Sequence, residues 1–359
     1  LNCNAWDLHE AGKEMPATLA GISAFAGLRE INMESIEQVS GERLTISAFD
    51  ELASVDRLEV LRLGNNRLNV TDSFIATFAE HPGLRRLNVS GSSMTNDGFQ
   101  SLFSVEDGLK NQLLELSVEQ RVECYETECD VNFYDLSPLQ GSASLQHLVI
   151  SGGNLDIPDN VTESMESLDV LFAIPSLVNL QLIDLYRYQI DRLLGGTQFA
   201  GNISSLGLRR WSRNNSELPS LTNDDLSKIA SSFPNLIDLN LENQSVDDLT
   251  GLEGLQLNHL IIIGTKVTDL YPLYGLGILK NEGYLIAFDT LLNSSQLQIV
   301  RGDPYYYTVE IGDHDGDGLL DADDPDADGD GVANEDDPFP LNVSETGDFD
   351  GDGIGNVSD

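Results

Sequence analysis

The sequence predicts an α/β solenoid: short parallel strands stacked along the chain with helical turns on the outer side, ending in an irregular and extremely acidic tail. Three observations carry that prediction. Apolar residues recur at one fixed spacing from residue 28 onward, the charge divides sharply near residue 312, and one acidic loop pattern then occurs three times.

The chain has 359 residues, 40% of them hydrophobic, with 60 acidic and 19 basic side chains and a formal net charge of −41. That length accommodates more than one domain and a large core. The acidic balance argues against nucleic acid as a partner, because duplex binding needs a lysine and arginine footprint to displace counterions. It equally disfavours docking on anionic membrane surfaces. No run of 18 apolar residues is present, so no helical membrane span is predicted. Neither an initiator Met nor a charged-then-apolar leader is seen, and the expectation is that any signal peptide has been removed.

The stretch from Leu58 to Leu68 fits L-x-x-L-x-L-x-x-N-x-L at every fixed position. Its core returns as Leu84, Leu87, Val89; Leu113, Leu116, Val118; Leu145, Leu148, Ile150; and Leu177, Leu180, Leu182. It continues as Ile203, Leu206, Leu208; Leu236, Leu239, Leu241; and Leu257, Leu260, Ile262, with a weaker early copy at Leu28, Ile31, Met33. Alternation within each frame predicts one short strand whose apolar side chains face inward, and such a unit buries them only against stacked neighbours. Frames begin 21 to 33 residues apart, mostly leaving room for an outer helix or helical turn, as in SFIATFAEHPG and TNDDLSKIASSFPN.

These nine frames resemble leucine-rich repeats. The resemblance implies a curved solenoid over residues 28–290 with its strands on the concave face. Residues 1–27 form an N-terminal cap and 291–312 a C-terminal cap and linker in this reading. The sequence departs from the family at the ninth position, where the backbone-satisfying Asn is present only as Asn66. Ser92, Gly153, Leu185, Trp211, Gln244 and Thr265 stand there in other frames. Residues expected on the strand-lined face include Arg62, Arg86, Asn88, Glu115, Asp238 and Glu242, a mixed polar surface suited to protein or glycan contact.

Residues 313–359 hold 17 acidic side chains and no Lys or Arg, a density that self-repulsion disorders unless something neutralises it. Three loops supply the means: DHDGDGLLDADD from Asp313, DADGDGVANEDD from Asp326 and DFDGDGIGNVSD from Asp348. Carboxylates at positions 1, 3 and 5, Gly at 6, Asp or Asn at 9 and Asp at 12, with a backbone carbonyl at 7, give the hard-oxygen spacing of a calcium loop. The candidate ligands are Asp313, Asp315, Asp317, Leu319, Asp321 and Asp324 in the first loop. They are Asp326, Asp328, Asp330, Val332, Asn334 and Asp337 in the second, and Asp348, Asp350, Asp352, Ile354, Asn356 and Asp359 in the third. Leu319, Val332 and Ile354 offer carbonyls, and their side chains are the candidates for what little core the tail has.

The loops begin 13 and then 22 residues apart, which leaves no room for the flanking helices of an EF-hand or a dockerin. The tail instead resembles thrombospondin type 3 repeats, including forms found in bacterial surface proteins. That resemblance implies a chain wrapped around a string of Ca2+ ions, the cofactor the charge count calls for. The third loop reaches its twelfth position at the final residue, so continuation of the natural chain is expected.

No G-x-S-x-G, Walker loop or H-E-x-x-H is present, and the five His residues are scattered, so a non-catalytic protein is expected. Between residues 186 and 213 the acidic background breaks, with Arg187, Arg192, Arg209, Arg210 and Arg213 beside Tyr186, Tyr188 and Trp211. Arg187 and Arg213 occupy equivalent eleventh positions, where stacking would set them side by side. Arginine and aromatic side chains are favoured in binding hot spots, which makes Tyr186, Arg187, Tyr188, Arg209, Trp211 and Arg213 the candidate ligand-binding residues. Salt bridges to local acids are the alternative. Cys124 and Cys129 either clip a loop as a disulfide or stand as thiols, and the odd count of three, with Cys3, leaves at least one thiol over. Arg301, Gly302 and Asp303 spell the tripeptide that integrins read, for which turn formation before Pro304 is an adequate explanation.

These readings together predict an extracellular or cell-surface adhesion or recognition protein that binds a protein or glycan on a surface or in the extracellular matrix. Its calcium-stiffened tail serves as a spacer. The alternative is a targeting or stalk region of a larger secreted hydrolase.

Overall fold

The computed structural model describes residues 19–33, 49–64, 70–92, 94–106, 108–119, 135–151, 168–195, 199, 202–210, 221–273, 279–288, 290, 292, 295–296, 308–312, 314–315, 317, 319, 321, 323–349 and 356. Residues 1–18, Asn66, the three cysteines, Trp211, Arg213, the tripeptide at 301–303, and Asp313, Asp350, Asp352, Ile354 and Asp359 lie outside that set. The chain divides into two compact units, Leu1–Leu193 with Thr197–Ile203, and Leu194–Gly196 with Ser204–Asp359.

The first unit contains six described strands: β1 (Glu30–Asn32), β2 (Val60–Arg62), β3 (Arg86–Asn88), β4 (Glu115–Val118), β5 (His147–Ser151) and β6 (Asn179–Ile183). Each pairs in parallel with the next in chain order. The register is the one the leucine spacing demands, because Ile31, Leu61, Leu87, Leu116, Leu148 and Leu180 are successive partners and every one is buried. Burying a side chain of this size stabilises by roughly 1.5–3 kcal/mol, and a slip of one residue would turn the whole set outward.

Short helical pieces connect these strands. They are α1 (Asp72–Ala76), α2 (Asn96–Leu102) and α3 (Arg187–Leu193), supplemented by 3-10 turns such as Leu109–Asn111 and Val170–Ala173. Thr71 and Thr95 cap the first two helices. The Asp72 carboxylate accepts from the Thr95 N–H at 2.7 Å and its hydroxyl at 2.6 Å, so the helix starts of consecutive repeats are tied together.

In the second unit, β7 (Ser205–Arg209), β8 (Asp238–Asn240), β9 (Leu257–Ile261), β10 (Leu279–Ala287) and β11 (Thr308–Ile311) again pair in parallel and in order. All nine predicted frames therefore hold a strand. Two further strands, β10 and β11, extend the ladder beyond those frames. Helix α4 (Asn223–Ser232) opens with a capping box, in which Asp225 accepts from both the N–H and the hydroxyl of Thr222. Leu226 and Ile229 on its inner face are buried. Parallel strands in chain order, stacked on rows of buried leucines, make this a leucine-rich repeat solenoid fold.

The work expected of a ninth-position Asn is done by other groups. Buried Gln244 donates to the Leu208 carbonyl and accepts from the Leu221 N–H, both at 2.8 Å, and the Thr265 hydroxyl donates to the Ile262 carbonyl. The turn out of β3, β6, β8 and β9 is made one residue earlier, though not that out of β7, where Arg210 holds the eighth position. Gly91, Asp184, Asn243 and Gly264, all at the eighth position, have φ of 71°, 55°, 59° and 66°. Only Gly, Asn and Asp enter that left-handed region readily, so the eighth position is chosen by backbone sterics.

Candidate functional site

The second acidic loop shows the most developed chemistry. Asp328 accepts from the Asp330 N–H with Oδ1 at 3.2 Å, Asp330 from Val332 at 2.7 Å and Asp337 from Phe339 at 2.8 Å. Asp326 accepts from the Gly331 N–H with Oδ2 at 3.1 Å, and Gly331, at loop position 6, makes the turn with φ 94°. The other oxygen of all four carboxylates is buried and has no hydrogen-bond partner. Ligand oxygens of Asp326, Asp328 and Asp330 lie within 4.8 Å of one another, as do those of Asp315, Asp317 and Asp324 in the first loop. At an effective dielectric of about 20, two like charges about 4 Å apart repel by about 4 kcal/mol. Buried anionic oxygens left bare in this way need a counter-charge.

The ninth positions close the loops. Asp321, Asn334 and Asn356 each accept, through Oδ1, from the N–H at loop position 2, which belongs to His314, Ala327 and Phe349 at 2.8, 2.9 and 2.8 Å. The N–H of each returns to the carbonyl just before its loop, on Gly312, Pro325 and Gly347. These residues are latches that close the loops. Asn334 also donates from Nδ2 to the Asp324 carbonyl, so its amide joins the two loops while its oxygen keeps a second lone pair.

Loops one and two interlock. Asn334 of the second holds the carbonyl of Asp324, the twelfth residue of the first, and Asp324 Oδ1 accepts from the Asp326 N–H at 2.9 Å. A Cβ on Gly329 would lie 2.9 Å from Asp315 Oδ2, so a glycine there lets the second loop back onto the first. The expected apolar contribution of the loop side chains is corrected as well. Leu319 is 46% exposed, Val332 is half-buried, and Ala327 is the tail's one apolar core residue among the described set.

In the arginine-rich stretch, local acids pair with Arg187, Arg192 and Arg209, while Arg210 is buried with its Nε lacking a hydrogen-bond partner among the described residues. Arg187 opens α3 and pairs with Asp191 at 2.5 Å, one turn on. Arg192 is bidentate to Asp169, whose hydrogen bonds and charge raise the Arg192 pKa further, and it lies over the Phe172 ring. Arg209 reaches Glu242 at 3.4 Å. Tyr186 and Tyr188 stack with their centroids 5.7 Å apart. The proposed neighbour relation between Arg187 and Arg213 falls on a residue outside the described set.

Each unit also presents an open strand face. In the first, register aligns Arg86, Glu115, His147 and Asn179 in one row and Arg62, Asn88, Ser117, Val149 and Gln181 in the next. In the second, Asp238, His259 and Tyr284 form a row in which the Asp238 carboxylate is bonded to His259 Nδ1 and the imidazole stacks on Tyr284 at 4.0 Å. No helix among the described residues is long and apolar enough to cross a membrane.

No protein-family model and no curated protein matches this chain. Among solved structures, it is similar to an internalin C2 of Listeria monocytogenes at 21% identity over 68% of this chain and 84% of that one, with a TM-score of 0.37. An internalin InlF of the same organism matches at 14% identity over 82% and 78%, with a TM-score of 0.40. A chain of the yeast Rad7–Elc1 complex matches at 19% identity over 77% of each, with a TM-score of 0.46. These are likenesses of backbone architecture.

Proposed function

We propose that this chain is a non-catalytic recognition protein of the extracellular space or cell surface. Its open strand faces bind a protein or glycan partner, and its acidic tail is a Ca2+-ordered spacer. The observation that carries this reading is the second acidic loop, in which four carboxylates are each pinned by one oxygen and leave the other buried and bare. Such a donor set suits a hard divalent cation, since every candidate ligand is an oxygen and no thiol or imidazole takes part. Asp326, Asp328, Asp330 and Asp337 would hold one ion, and Asp315, Asp317 and Asp324 would contribute to another. The bound cation would supply the charge that lets the loops stay folded. Low-affinity extracellular modules fill at millimolar calcium, the regime in which a surface spacer works. The repeat units leave one face of polar rows uncovered, which is the surface such scaffolds offer to partners.

The test has two arms. Calorimetric titration of the full chain should show calcium uptake of at least two ions in the low-millimolar range or tighter, and its absence would remove the spacer. Screening the calcium-loaded chain against glycans and surface-protein extracts should yield a saturable partner, and no capture at all would remove the recognition role. A partner lost on changing Arg187, Arg209, Trp211 and Arg213 to Ala places the contact at the arginine-rich stretch.

A further inference from the structure

The open face of the first unit has a depression of about 290 Å3 centred on Ser117. Its cause is a small side chain between larger ones, since Ser117 stands in register between Asn88 and Val149. Arg62 on β2 lines one end and His147 and Val149 on β5 the other, with Arg86 on β3 and Glu115 on β4 between them. These polar groups are unequally engaged. Arg86 is paired with Glu115 at 3.0 Å, whereas Arg62 meets Glu30 only at 3.9 Å, beyond hydrogen-bond reach. Neither the Arg62 guanidinium nor the His147 imidazole has a hydrogen-bond partner among the described residues. The depression therefore has an unspent planar fork of donors at one end. Beyond it lie the Arg86–Glu115 pair and then His147, a donor-and-acceptor set.

We infer that this depression binds a single acidic sugar residue, its carboxylate on Arg62 and its ring hydroxyls on Glu115 and His147. A guanidinium suits a carboxylate at one end through bidentate hydrogen bonds. The Glu115 carboxylate two strands away accepts hydroxyl protons and repels a second anion. The volume lies at the small end of ligand sites, enough for one sugar-sized group. A peptide has little apolar purchase here, because Leu87 and Leu116 in the lining are buried and Val149 is half-buried. A polyanionic chain is disfavoured by the net −24 of the first 312 residues. The inference rests on the reading of the strand faces as recognition surfaces and names the ligand chemistry of one of them.

The experiment titrates the full chain with methyl glucuronide and, separately, methyl glucoside at fixed ionic strength, following saturation-transfer NMR. The wild type should bind the glucuronide about tenfold more tightly, the scale of one hydrogen-bonded charge. Arg62→Gln should abolish that preference while leaving glucoside binding unchanged, and His147→Ala should weaken both. Circular dichroism establishes that the variants are folded. Equal binding of the two sugars, a preference that survives Arg62→Gln, or tighter binding of a Glu-containing peptide overturns the inference. So does glucuronide binding that disappears in EDTA, which would route the carboxylate through the tail's calcium. If neither sugar binds while the screen still captures a partner, this site falls and the recognition role stands.

Discussion

In the repeat units the side chains that face inward are leucines, and Leu61, Leu148, Leu206 and Leu260 are all fully buried. In the tail the side chains that face inward are carboxylates: Asp328 is 4% exposed and Asp337 is 7% exposed, while Phe349 stands at 96%. The contrast shows two ways of ordering a chain. The repeats are held by apolar surface removed from water, which needs no added component. The tail spends its backbone N–H groups on carboxylates and converges the remaining oxygens, an arrangement that apolar burial does not stabilise.

This contrast can be broken at several points. The largest effect is expected from Leu239→Ala in β8, about 2–5 kcal/mol of repeat stability by urea unfolding, with calcium affinity unchanged. A matching fall in calcium affinity would show that the two regions are not energetically separate. Next comes Asp328→Asn, which removes a converging charge from the second loop. Calorimetry should show that site weakened by about 100-fold or more, with the urea midpoint of the repeats unmoved. Asn334→Ala removes the latch between the loops, and a weakening of about 10-fold is expected. Because Asn334 also holds the Asp324 carbonyl, the first loop should weaken along with the second, and an effect confined to the second would refute the interlock.

The smallest effect concerns pH and lies wholly within the repeats. Burial lowers the His81 pKa below 6.5, opposed by the Val55 carbonyl that accepts from Nε2 and by Asp56. Its Nδ1 accepts from the N–H groups of Gly83 and Leu84, a pattern only the neutral ring makes. A depressed folded-state value means the unfolded chain binds the proton first. The contribution of His81 is therefore complete above pH 6.5 and is lost as pH falls from there through the folded value, at about 1.4 kcal/mol per unit of depression. His81→Gln should flatten that part of the repeat stability profile.

Much of this architecture was legible in the sequence because it is periodic. Leucines at fixed spacing predict nine strands, and the nine are present. Strands β10 and β11 were not predicted as repeats, because LKNEGYLIA and TVEI do not reproduce the three-residue and two-residue steps of the frame. The eighth-position turn carried a readable signal, since Gly91, Asp184, Asn243 and Gly264 are all residue types that enter the left-handed region. The family's ninth-position Asn drew the reading one residue too far. In the tail, the spacing located carboxylates that converge in the first two loops. It could not show the latch hydrogen bonds of the ninth positions, because these rest on which N–H groups the folded loop brings within reach.

The sequence by itself determined the period of the repeats, the inward-facing leucines, the place where the charge changes and the oxygen-rich chemistry of the tail. All of these follow from residue type and short-range spacing. Tertiary structure alone decided which oxygen of each carboxylate is pinned and which is bare, that Asn334 locks one loop onto the next, and that Ser117 sits between Asn88 and Val149 to open a depression. Such outcomes depend on residues far apart in the chain meeting at fixed register, and stacking the repeats settles them only after every local preference has been met.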